Sequence, residues 1–155
     1  MHPLHILGAA ALALAAAGPV SAQTPDTKSL VSMSGTCVGE FLGKPLACGP
    51  QAMYAVRTTG QEFVAFATAE GVLFFFGDQI SQPTPTDHVI AVDASRFDLA
   101  NGQRLENDRI RGACHLTTSA AGGPIAAVDC DATNLDTHGR QRLRLTNVKI
   151  LPAPK

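Results

Sequence analysis

The sequence predicts an all-β protein: a small antiparallel β-sandwich or β-barrel of about eight strands. Three observations point there. No helical period of useful length follows residue 22. Apolar runs of strand length recur at close spacing, divided by turn residues. One stretch, 62–77, holds five of the seven phenylalanines in two apolar runs around Glu70-Gly71, the signature of a hairpin.

Residues 1–22 are expected to be a cleaved signal helix. Leu4 to Ala17 is rich in alanine and leucine, Gly18-Pro19 breaks it, and Val20-Ser21-Ala22 fits a small-residue cleavage site. The n-region carries His2 and His5 and no lysine or arginine. The run is short for a bilayer span, and nothing after it is apolar long enough to be one. Residues 23–29, polar and containing Pro25, are expected to be a flexible tail, 30–151 a single antiparallel β domain, and 152–155 a C-terminal tail.

From Leu30 to Gly39 the chain alternates, with Val31, Met33 and Cys37 on one face. Gly43 and Pro45 force a turn, and Leu46 to Cys48 returns. Cys37 and Cys48 then face each other across a hairpin. Ala52 to Thr58 is the next strand, and Thr59-Gly60 turns it into the phenylalanine hairpin, with Arg57 opposite Glu62 and Tyr54 opposite Ala65. In that hairpin Phe66 faces Phe75. One face carries Phe63, Ala65, Ala67, Phe74 and Phe76, the other Val64, Phe66, Leu73 and Phe75. Both are apolar, so both are expected to be covered. Asp78 to Asp87 contains Pro83 and Pro85 and is expected to be a surface loop.

His88 to Ser95 alternates again. Asn101-Gly102 marks a short hairpin or bulged connection. Asp108 to Thr118 and Ile125 to Asn134 flank a turn centred on Gly122, which places Cys114 opposite Cys130 on the inward face. His138-Gly139 leads into the last strand, Arg140 to Ile150. Leu143 and Leu145 face in there, and a bulge near Thr146-Asn147 restores the alternation for Val148 and Ile150. The expected core comprises Phe63, Phe66, Phe74, Phe75, Phe76, Val56, Val92 and Leu145.

Four cysteines behind a signal read as two structural disulfides, Cys37–Cys48 and Cys114–Cys130, in a periplasmic or secreted protein. Their spacing suits neither metal binding nor redox exchange. Twelve basic and thirteen acidic residues leave no field that favours nucleic acid. The chain has no tryptophan and one tyrosine, Tyr54, which counts against stacking platforms for sugars or bases. There is no nucleophile elbow, zinc-binding helix motif, C-x-x-C or phosphate-binding glycine loop, and no cofactor is implied.

One constellation follows from the strand registers. On the outward face of the last three strands His115 falls opposite Asp129. Arg111, Thr133 and Arg144 form one row, and Arg109, Leu135 and Arg142 the next. Such a face is either a solvated set of ion pairs or an anion-binding patch of Arg109, Arg111, Arg142, Arg144 and His115. The function expected is an exported, non-catalytic β module that binds or supports an envelope or extracellular component, with an anionic envelope component or protein as its partner. The rival is a small periplasmic hydrolase or metal-dependent enzyme using His88, His115 or His138 with a nearby aspartate.

Overall fold

The structure, a computed structural model, describes residues 27–152. The expected signal, residues 23–26 of the expected tail, and residues 153–155 lie outside them.

The chain forms ten strands. They are β1 (Thr27–Phe41), β2 (Lys44–Leu46), β3 (Cys48–Arg57), β4 (Glu62–Thr68), β5 (Gly71–Thr84), β6 (Asp87–Leu99), β7 (Arg104–Asn107), β8 (Ile110–Thr118), β9 (Ile125–Asn134) and β10 (Arg140–Ile150). Eight of them pair antiparallel in the order β1-β3-β4-β5-β6-β8-β9-β10, and β10 pairs back onto β1. The sheet therefore closes into an up-and-down barrel, in which the only unpaired edge among the eight belongs to strand ends that overhang their neighbours, such as β5 beyond Gly77. The short β2 and β7 hairpin onto β1 and β6. β1 begins at Thr27, within the stretch expected as a tail; Thr27 and Ser29 already pair with Arg57 and Val56.

Eight strands enclose an interior that side chains can fill. Here they fill it: Val64, Phe66, Leu73, Phe75, Leu143 and Leu145 are each buried to 1% exposure or less. Phe66 and Phe75 meet edge-on, 6.2 Å between ring centroids. Charged side chains stand on the outer wall of β8–β10 instead. A barrel crossing a membrane has the reverse arrangement, a polar lumen and a lipid-facing wall.

Both disulfides bridge as the alternation predicts. Cys114 pairs with Cys130 across β8 and β9, fully buried, with Cα atoms 4.0 Å apart. Cys37 and Cys48 continue the β1–β2 register, with Cα atoms 5.7 Å apart. Closed loops of this size contribute on the order of 3 kcal/mol each in the chain-entropy picture.

Four expectations are corrected. In the phenylalanine hairpin the two loop residues are Ala69 and Glu70, so Thr68 pairs with Gly71 and Val64 with Phe75, two positions from the expected register. The Thr68 hydroxyl sets the turn, accepting from the Glu70 amide at 3.2 Å and donating to the Gly71 carbonyl at 3.0 Å. A shift of two preserves each face. Second, one of those faces is covered only in part: Ala65 and Phe76 are buried on it, at 2% and 8% exposure, while Phe63 and Phe74 are half-buried. Phe63, Phe74 and Phe76 lie on the outer wall, where the Arg57 and Arg96 guanidiniums lie over their rings, Arg96 at 4.4 Å from the Phe74 centroid. Third, Asp78–Asp87 is mostly strand. β5 runs to Thr84 and only Pro85-Thr86 turns. Beyond Gly77 it has no β4 partner, so Pro83 sits on an edge, where a missing N–H is tolerated.

Fourth, the β3–β4 connection spans three residues, Thr58 to Gly60, closed by the Arg57 amide on the Gln61 carbonyl at 2.8 Å, with Gly60 at φ +90°. Val56, not Arg57, therefore faces Glu62, and Tyr54 faces Val64. A one-residue slip moves side chains to the other face of the sheet. It turns Tyr54 into the barrel.

Candidate functional site

The outer wall of β8–β10 carries the expected charged face. His115 lies opposite Asp129 as the turn at Gly122 predicts, and Arg111 lies opposite Thr133. Between β9 and β10 the pairing differs by four positions from the expected one: Arg144 faces Asp129, Arg142 faces Asp131 and Arg140 faces Thr133. The Asn134 side chain accounts for this. Its oxygen accepts the Asp136 and Thr137 amides at 2.8 Å each and winds 135–139 into the turn, so that β10 starts directly beyond β9. The shift is even, so the arginines stay outside.

The rows on this wall alternate acid and base. Arg142 donates to Asp129 at 3.1 Å, and Arg144 approaches the same carboxylate at 3.7 Å. Arg140 grips Asp131 through two nitrogens, one of them Nε at 2.8 Å. The hydrogen bond from Arg140 holds the Asp131 carboxyl below the ordinary aspartate range against the opposing effect of burial. The hydrogen bond to Asp129, then its charge, raises Arg142 above the ordinary guanidinium value. These pairs are exposed and contribute roughly 0.2–1 kcal/mol each.

Arg109 stands apart, just before β8, with its Nε 2.8 and 2.9 Å from the two oxygens of Asp136. Arg111 donates to the carbonyls of Ile110 at 2.7 Å and Asp93 at 3.3 Å, and among the described residues no carboxylate pairs with it. On this wall Arg111 and Arg144 are thus the guanidiniums least committed to acids. The groove on this wall has a volume of about 550 Å³. His115, Asp129, Asp131, Arg142 and Arg144 line it, with Ala113 and Ala127 on its floor.

The three histidines of the described residues do not converge. His88 points into the barrel, His115 stands on the outer wall one register position away, and His138 lies in the β9–β10 turn at the far end. Among the described residues no group of three His, Cys, Asp or Glu side chains is arranged to hold a metal ion.

A second constellation lies inside the barrel, at the end formed by the β3–β4, β5–β6 and β8–β9 turns. Glu62 is 5% exposed there, in register with Val64 and Phe66. Its Oε2 lies 2.6 Å from His88 Nε2 and accepts the Tyr54 hydroxyl at 3.1 Å. Burial, then the charge of Glu62 and its hydrogen bond, pushes the Tyr54 phenol well above its ordinary value, so Tyr54 remains a donor. The expected Arg57–Glu62 pair hid this set. The signal that could have found it is parity: Glu62 shares its face with Val64 and Phe66, and His88 shares its face with Ile90 and Val92.

Comparison with protein-family models, with curated proteins and with solved structures finds no match.

Proposed function

We propose that the chain is a non-catalytic module of an oxidising compartment, periplasmic or extracellular, that binds a carboxylate or phosphate group of a partner on the β8–β10 wall. The two disulfides support the compartment. The observation that carries the binding is the state of Arg144, which lines the groove and shares an aspartate that Arg142 already holds; Arg111, exposed on the same wall and bonded only to carbonyls, lies outside the groove, two rows away beside Arg140. A guanidinium with spare donors takes an oxyanion in preference to water when the geometry is fixed. His115, opposite Asp129, lines the same groove. The groove has no serine or cysteine to act as a nucleophile, and its one hydroxyl, on Thr117, donates to Asp87 at 3.4 Å.

The test is a titration with inorganic phosphate and with a carboxylated oligosaccharide, followed by amide shifts of β8 to β10. Saturable, weak binding is expected. Replacing both arginines, Arg111→Ala with Arg144→Ala, should weaken it about two- to thirtyfold if each exposed pair contributes about 0.2–1 kcal/mol. Raising ionic strength to about 1 M should abolish it, since the screening length falls to about 3 Å. Equal affinity in the double variant would rule the wall out as the contact.

A further inference from the structure

We propose that the barrel end carrying Tyr54, Glu62 and His88 is a second ligand site, and that it takes a small apolar amine. Three features lead there. The first is the one buried carboxylate among the described residues, in a barrel interior that is mostly apolar. Such a group is costly unless hydrogen-bonded, and Glu62 is satisfied by two partners from two other strands. The second is the space above it. A cleft of about 220 Å³ opens over His88 and Tyr54, walled by Pro85, Leu116 and Ile125. A cavity of about 150 Å³ is enough to hold benzene, so a body of one ring or a short branched chain fits this one.

The third feature is the polarity left facing the cleft. Tyr54 has one hydrogen and gives it to Glu62. The 2.6 Å contact between His88 Nε2 and the same carboxylate places the imidazole hydrogen on Nε2. What remains on the cleft side is the phenol oxygen, free to accept, and in the neutral imidazole an unprotonated Nδ1, also an acceptor. Glu62 stands behind both. Asp87, at the rim, adds a second carboxylate, held by the Thr84 hydroxyl at 2.8 Å and the Thr117 hydroxyl at 3.4 Å. A ligand entering here therefore meets apolar walls, acceptors at the floor and negative charge nearby. That asks for a donor head, best a cation, on an apolar body. A carboxylate would meet two like charges, with donors only at the rim, on Gln82, Thr86 and Thr118. This chemistry is opposite to that of the β8–β10 wall, so neither site depends on the other.

The chain carries its own reporter. Tyr54 is the only tyrosine and there is no tryptophan, so intrinsic fluorescence reports this site alone. The experiment titrates the purified protein at pH 7.5 with cyclohexylamine, cyclohexanol and cyclohexanecarboxylate, which share a ring and do not absorb where tyrosine does. A saturable change in Tyr54 emission is expected, with the amine bound at least about tenfold more tightly than the carboxylate. His88→Ala should weaken the amine about tenfold by removing a floor acceptor. Ile125→Phe, which fills the cleft without touching the three polar residues, should abolish binding while leaving the melting temperature close to the parent's. Three results would each overturn the proposal: no saturable change with any of the three compounds, a carboxylate bound as tightly as the amine, or unchanged amine binding in Ile125→Phe. In the first case Tyr54, Glu62 and His88 serve only to hold the barrel end together.

Discussion

Phe75 and Phe74 are neighbours in sequence with different work to do. Phe75 points into the barrel, is 1% exposed and abuts Phe66; Phe74 stands on the outer wall beneath the Arg96 guanidinium, stacked beside Phe76 at 5.8 Å. Truncating a filled core position leaves a cavity that neighbours close only in part, so Phe75→Ala should cost about 3–5 kcal/mol. Phe74→Ala removes a half-buried ring and its cation–π contact, and should cost about 1–2 kcal/mol. Urea denaturation of the two variants measures the difference. Equal costs would mean that the wall phenylalanines are as enclosed as the interior ones. The same alternation explains Tyr54, Glu62 and His88. Each occupies a position where parity calls for an apolar side chain, and they satisfy one another.

The phenylalanine hairpin shows what an element reveals of itself and what it does not. Its existence, its two faces and its pairing with the strand before it were legible, because the period-two pattern is local and strong. Its register was not, because Ala69-Glu70 and Glu70-Gly71 are both plausible two-residue loops. Gly71 belongs to the strand for a reason that only tertiary structure shows: a Cβ there would lie 2.1 Å from the Asp98 carbonyl oxygen on β6, and φ is +150°. Gly43 also has positive φ, +77°, but open space around it. Gly71→Ala should therefore destabilise by about 1–3 kcal/mol more than Gly43→Ala, the usual range for overpacking, as read from the shift of the urea midpoint at constant slope. If the two substitutions cost the same, the β5–β6 approach is looser than described. The charged wall followed the same logic. His115 opposite Asp129 was readable from the Gly122 turn, and the arginines' outward parity from alternation. Their exact partners were not, since they depend on how Asn134 winds the turn before β10. The buried set was lost to a single-residue difference in the β3–β4 loop.

At the scale of the whole molecule, closure decides where ligands can go. A sandwich and a barrel share the same strands, and choosing between them requires knowing whether the first strand meets the last. That contact joins Met33 to Ile150 and Cys37 to Leu145, across nearly the whole described chain, and no local pattern encodes it. Details along the seam make it fit. Asn147, at φ +53°, forms the bulge on β10, and opposite it Gly35 leaves room where a Cβ would lie 2.5 Å from the Thr146 carbonyl oxygen. With the seam closed the interior is filled, so ligands are left the outer wall and the barrel end. Residue-resolved amide hydrogen exchange on the purified protein tests this most directly. Closure predicts that amides bonded across the seam, such as those between Cys37 and Gly39 of β1 and Leu143 and Leu145 of β10, exchange only by global unfolding, at about 5–15 kcal/mol, alongside those of β4 and β5. Seam amides exchanging as fast as the loop at 119–124, while β4 and β5 stay protected, would contradict it: the sheet would be open, and β1 and β10 would be free edges.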